Sequence, residues 1–132
     1  MKYLLDTHTL IWSILDPNKL STKVKQIIET PDNQIFVSVI SFWEISLKSS
    51  IGKLVLENVE PEDFPALCAQ MDIEVIQLEA TTSSTYHHLK VFHHRDPFDR
   101  MLIWQAKQLG ISILSKDELI KLYESEGIEI IW

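Results

Sequence analysis

The sequence predicts an α/β fold, a three-layer α/β/α arrangement around a central parallel sheet of about four to five strands. Three observations carry that prediction. Five short runs, Lys2 to Leu5, Gln34 to Val39, Ile73 to Leu78, Ile111 to Leu114 and Ile128 to Trp132, are mostly apolar without alternation, as strands covered on both faces are. The segments between them place apolar residues at helical spacing. Turn and stop signals, Asp16-Pro17-Asn18, Thr30-Pro31-Asp32-Asn33, Gly52 and Gly110, separate several of these segments. No linker, repeat or low-complexity stretch interrupts the 132 residues, so a single domain over 1–132 is expected.

Taken in order, the first strand ends at Asp6, and Thr7 is placed to cap a helix with the stripe Leu10, Ile11, Ile14 and Leu15. Asp16-Pro17-Asn18 is a turn. Ser21 caps a second helix with Val24, Ile27 and Ile28 inward, and Thr30-Pro31-Asp32-Asn33 stops it. After the second strand, Ser41 opens a helix with Glu44 three residues on, the spacing of a capping box, and Gly52 ends it. Pro61 begins a helix through about Met71, and Thr81 to Phe92 is read as helical. Asp96-Pro97 marks the start of the best-defined helix, with proline at the first helical position and Gly110 after its end. Asp117 to Tyr123 is a short helix before the last strand.

Composition limits the function classes. Hydrophobic residues make up 45% and charged residues 23%, an ordinary globular balance. No apolar run reaches the length needed to cross a bilayer, and Asp6 follows Met1 too soon for a signal peptide, so a cytosolic protein without membrane contact is expected. The lone cysteine, Cys68, has no disulfide partner and is read as buried packing. A formal net charge of −7 argues against broad electrostatic attraction to nucleic acid, unless acids gathered in one site hold divalent cations.

The topology brings such acids together. In a right-handed parallel α/β sheet the strands finish, and the following helices start, at one edge. Asp6 ends the first strand, Glu44 falls in the first turn after the second, Asp99 is the third residue of its helix, and Asp117 lies just beyond the fourth strand. Asp99 shares its face with Leu102, Ile103 and Ala106 and so points inward, where a carboxylate is costly unless capped, paired or metal-bound. Four carboxylates in one cleft call for a counterion, and Mg²⁺, with Mn²⁺ as a substitute, suits their oxygen donors and phosphodiester hydrolysis.

Each acid also has a structural explanation. Glu44 and Asp99 sit at capping-box spacing, Asp117 can cap its short helix, and Asp96 is a cap that lies three residues from Asp99. Asp6 has the least capping duty, since Thr7 meets it. His87-His88 and His93-His94 lack zinc-site spacing and are read as exposed or capping, although His94 and Arg95 adjoin the cleft and are candidates to touch phosphate. Trp43 and Trp104 are assigned to core faces. Lys48, Lys53 and Arg100 are read as solvated charges.

The segments Asp6-Thr7-His8-Thr9-Leu10-Ile11-Trp12, Ser38-Val39-Ile40-Ser41-Phe42-Trp43-Glu44-Ile45, Gly52-Lys53-Leu54, His94-Arg95-Asp96-Pro97-Phe98-Asp99-Arg100-Met101-Leu102 and Ser115-Lys116-Asp117 together resemble, in order, the motifs of PIN-domain proteins. The resemblance covers nearly the whole chain and is nearest to the VapC-type toxins of bacterial toxin-antitoxin pairs. It implies a PIN-like α/β/α domain and a metal-dependent endoribonuclease acting on RNA, with Asp6, Glu44, Asp99 and Asp117 at the family's acidic positions. It also implies a homodimer and a cognate antitoxin whose tail blocks the cleft. The chain departs from many relatives in having His8 where Asn or Ser is common, and Ser115 in place of Thr before the fourth acid. Two other classes compete. A haloacid-dehalogenase-type phosphatase needs a second Asp two residues after the first, where His8 stands, and a non-catalytic PIN-like module would bind a protein partner only.

Overall fold

A computed structural model describes residues Met1–Trp132, and its core is a five-stranded, fully parallel sheet in the order β3-β2-β1-β4-β5. The strands are β1 (Lys2–Leu5), β2 (Gln34–Ser38), β3 (Ile73–Ile76), β4 (Ser112–Leu114) and β5 (Ile130–Ile131). The helices between them are α1 (Thr7–Leu15), α2 (Thr22–Glu29), α3 (Val39–Ser50), α4 (Phe64–Gln70), α5 (Ala80–Thr85), α6 (Pro97–Leu109) and α7 (Glu118–Lys121), with 3₁₀ turns at Pro17–Lys19, Pro61–Asp63, Tyr86–His88 and Leu122–Glu126. The α/β/α arrangement expected from the sequence is present. No helix is long and apolar enough to cross a membrane.

Alternation along the strands sends neighbouring side chains to opposite faces, and each face builds its own core. Leu4 pairs in register with Phe36 and Ile113, and Ile113 with Ile130, all on the side covered by Leu102, Ile103 and Ala106 of α6 and by Tyr123. Tyr3, Leu5, Ile35, Val37 and Leu114 face the other side, against Leu10, Val24, Ile45, Phe64 and Cys68. Burial raises the Cys68 thiol to about 11, which keeps it protonated and fits its packing role.

The sheet order places β1 at the centre, with the chain running outward to β2 and β3 before crossing back to β4 on the opposite side. The carboxyl ends of β1 and β4 therefore flank a topological switch point, where α/β sheets open a crevice.

Several local expectations are corrected. The third helix begins at Val39, not Ser41, because Ser38 at the end of β2 accepts the Ile40 N–H and caps it. Glu44 is thus the sixth residue of α3, in its second turn, and Ser41 and Glu44 form no capping box. The segment expected as one helix from Thr81 to Phe92 is α5 and a 3₁₀ turn, which ends at Leu89 with non-helical backbone (φ −78°, ψ 87°). Trp43 is exposed and stacks edge-on against Phe98 (centroids 5.1 Å), whereas Trp104 is buried as expected. Arg100 is no solvated charge. It is among the largest fully buried side chains, 1% exposed.

Candidate active site

Asp6 follows β1 in extended backbone and is itself the N-cap of α1: Oδ1 accepts the Thr9 N–H at 2.8 Å. The capping duty assigned to Thr7 thus falls to Asp6. The second oxygen, Oδ2, accepts the Ser115 hydroxyl at 2.5 Å. Asp6 is 3% exposed, and burial raises its pKa above the ordinary carboxylate value despite these hydrogen bonds. Ser115 Oγ also accepts the Asp117 N–H at 3.1 Å, so one hydroxyl ties the ends of β1 and β4 together.

Thr7, freed from capping, donates its hydroxyl to Glu44 Oε1 at 2.6 Å and lies 2.9 Å from Ser41 Oγ. That bond fastens the second turn of α3 to the first turn of α1. Glu44 is 2% exposed, and its other oxygen is paired with the Lys48 ammonium one helical turn on. Burial acts to lower the Lys48 pKa, but the bond to Glu44 and the Glu44, Asp96 and Asp99 charges outweigh it, so the net shift is upward.

Asp96 caps α6, accepting the Phe98 and Asp99 N–H groups at 2.9 and 3.1 Å, and Pro97 occupies the first helical position. This places Asp99 at the third position with its Oδ2 3.1 Å from His94 Nε2. Burial, followed by the charges of Asp96, Glu44, Asp6 and Asp117, pushes Asp99 up to about 8. Every carboxylate singled out in the sequence therefore acts electrostatically on Asp99. Burial also lowers His94, against the pull of Asp96 and Asp117. Burial thus disfavours the charged form of both partners.

Asp117 caps α7 through the Leu119 and Ile120 N–H groups at 2.7 and 3.3 Å. It lines an open cleft of about 420 Å³ with Asp6, His8, Trp12, Lys116 and Glu118. Glu44 and Asp99 stand outside that lining, and no three of the chain's His, Cys, Asp and Glu side chains converge on one ion position as they are placed. Their oxygens are engaged by Thr9, Ser115, Thr7, Lys48 and His94 instead.

The fit to a divalent cation therefore lies in chemistry and charge. The donors are hard carboxylate oxygens, burial together with their mutual repulsion raises Asp99 to about 8, and an ammonium already serves as counter-cation to Glu44. Lys48 stands four residues after Glu44, helical spacing that the sequence displays. Thr7, Tyr123 and buried Arg100 were not identified as site residues, since tertiary contacts across 23 to 37 positions leave no local pattern.

The chain is similar in structure to a chain of VapBC2 from Rickettsia felis bound to a DNA fragment from their promoter, with a TM-score of 0.68, 16% identity, and coverage of 98% of this chain and 97% of that one. It is similar to a chain of FitAB bound to an IR36 DNA fragment (TM-score 0.63, 17% identity, 98% and 93% covered) and to one of FitAcB from Neisseria gonorrhoeae (0.62, 15%, 98% and 96%). At these identities the likeness is one of fold. No curated protein matches the sequence. The PIN domain model matches residues 3–124, a span that includes Asp6, Glu44, Asp99 and Asp117, and the chain belongs to the PIN-domain family.

Proposed function

We propose that the protein is a divalent-metal-dependent endoribonuclease, the toxin of a toxin-antitoxin pair, with Asp6, Glu44, Asp99 and Asp117 as its metal-binding and catalytic carboxylates. The observation that carries this reading is the crowding of charge at the switch point, where burial and four neighbouring carboxylates raise Asp99 to about 8. Such an arrangement costs stability in the metal-free protein, and a functional site is where that cost is accepted.

Mg²⁺ or Mn²⁺ held by Asp6, Glu44 and Asp99, with Asp117 at the cleft rim, would supply an activated water and neutralise charge on the scissile phosphodiester. The chain's own residues prepare the site. Ser115 and the Thr9 amide fix both oxygens of Asp6. Thr7 orients Glu44, and Lys48 must release it when a cation enters. Lys116 and His8 line the cleft beside Asp6 and can meet phosphate oxygens.

The −7 charge keeps the protein from binding nucleic acid broadly, so RNA is held mainly where the site supplies positive charge. The acidic surface suits a basic segment of a cognate antitoxin, and the fold's likeness to chains from VapBC2 and FitAB supports a partner of that kind. We place the protein in the cytoplasm as a single-domain homodimer.

The purified protein with 5 mM-scale Mg²⁺, roughly the millimolar range in which weakly held hard cations bind, should cleave total cellular RNA and stop on chelation. Asp6→Asn and Asp99→Asn should abolish cleavage while retaining native circular dichroism. Undiminished cleavage in both variants would overturn the reading.

A further inference from the structure

His94 is held between Asp99 on one side and Tyr123 on the other. Its Nδ1 lies 3.1 Å from the Tyr123 hydroxyl oxygen, and its backbone N–H and carbonyl lie 3.4 and 3.3 Å from that same atom. Its Nε2 faces Asp99 Oδ2 at 3.1 Å. Tyr123 is fully buried, and its oxygen accepts an Arg100 Nη1–H at 2.8 Å.

Arg100 has no carboxylate partner. Its remaining donors go to the Tyr86 hydroxyl through Nε, the Val91 carbonyl through Nη1 and the Leu89 carbonyl through Nη2, each at 2.7 Å. The Phe92 ring covers the guanidinium at 3.7 Å. A buried arginine is thus satisfied by neutral acceptors in the connection that delivers His94.

Three features follow from this arrangement. The imidazole orientation is fixed from behind by Tyr123. The Tyr123 oxygen is fixed by Arg100. Arg100 itself projects from α6, one residue after Asp99, so the carboxylate and the clamp that aims histidine at it move as one body.

We propose that Tyr123 and Arg100 are positioning residues that hold His94 Nε2 against Asp99 and so set the orientation in which Asp99 meets a divalent cation. The inference rests on the metal reading above and adds a supporting shell to it. Partners of this kind orient ligand carboxylates, and their loss typically costs about 10-fold to 100-fold in metal affinity.

The test is calorimetric titration of the full-length chain with Mn²⁺ alone. His94→Ala and Tyr123→Phe should each weaken binding about 10-fold, the double variant should be no weaker than the worse single one, and His94→Gln, whose amide nitrogen can reach Asp99, should recover most of the affinity. Non-additivity and rescue separate positioning from loss of packing, which would leave the two effects independent. Should Tyr123→Phe fail to fold, the His94→Ala and His94→Gln pair decides alone. Wild-type affinity in His94→Ala, with binding abolished in Asp99→Asn, would overturn the inference and leave the metal site standing. Wild-type affinity in Asp99→Asn would overturn both.

Discussion

Ser115 donates its hydroxyl to Asp6 Oδ2 across 2.5 Å, joining residues 109 positions apart at the ends of the two strands that border the switch point. Ser115 Oγ also accepts the Asp117 N–H, so this side chain fixes the rim and the floor of the cleft together. Ser115→Ala should destabilise the protein by about 1–3 kcal/mol, the cost of a buried polar group left unpaired, and should weaken Mn²⁺ binding about 10-fold. Ser115→Thr keeps the hydroxyl and should retain both properties. Chemical denaturation and calorimetry check the pair, and an Ala variant that matches wild type in metal affinity would remove Ser115 from the site.

The pH dependence of the metal-free protein follows from Asp99. A carboxyl whose folded pKa of about 8 lies above its ordinary 3.8 stabilises the folded state most below the lower value, and loses that contribution as pH rises through the higher one. Asp6, also raised by burial, acts in the same direction. His94 is lowered, so its contribution fades as pH falls through its ordinary 6.5, which opposes the carboxylates on the acid side. The clear window lies between pH 6.5 and 8. There, in chelator, stability should fall by up to about 2 kcal/mol at ~1.4 kcal/mol per pH unit. Asp99→Asn should flatten this slope and raise the melting temperature at pH 8, as should saturating Mn²⁺ in the wild type. A wild-type slope that persists unchanged in Asp99→Asn would place its origin elsewhere.

The sheet, and the places of Asp6, Asp99 and Asp117 at strand ends and helix starts, are legible in the sequence because they depend on local patterns. Unalternating strands announce coverage on both faces, and Asp96-Pro97 and Gly110 mark the ends of α6 to the residue. The capping errors share one physical cause, competition for the same duty by neighbouring polar side chains. Thr7 and Asp6 are both able caps, and the structure gives the cap to Asp6 because Thr7 can also reach Glu44. Ser38 and Ser41 compete likewise, and the one that ends the strand wins. Arg100 was misread because no carboxylate near it in sequence signals a partner, and its acceptors are carbonyls and phenols assembled by the fold.

On the proposed metal reading, Lys48 competes with the cation for Glu44. Its ammonium is 31% exposed and pairs with Glu44 Oε2, whose side chain is 3% exposed, so it neutralises a carboxylate that water scarcely reaches. Lys48→Met should tighten Mn²⁺ binding several-fold, on the order of 1 kcal/mol for one removed cation at the edge of a cleft. It should also lower metal-free stability by more than loss of an exposed ion pair does, since the buried Glu44 carboxylate loses its cation and keeps only its bond to Thr7. Weaker Mn²⁺ binding in this variant would show that Lys48 supports the site and does not compete for it.

Arg100 decides whether the connection from Leu89 to Arg95 is part of the folded body. Four N–H groups of its rigid fork reach four acceptors, the Leu89 and Val91 carbonyls on that connection and the Tyr86 and Tyr123 hydroxyls beside it, and no other side chain has this shape. Lysine has three donors on a single atom and cannot span them. Arg100→Lys should therefore cost about 3 kcal/mol or more, the range for breaking a buried charged network. The loss should be local before it is global: limited proteolysis should cut between Leu89 and Arg95 in the variant at conditions where the wild type resists. Arg100→Met, which removes the charge and leaves the carbonyls orphaned, should be no less destabilised than Arg100→Lys. If Arg100→Lys melts with the wild type and the connection stays protected, the guanidinium is packed there without holding it.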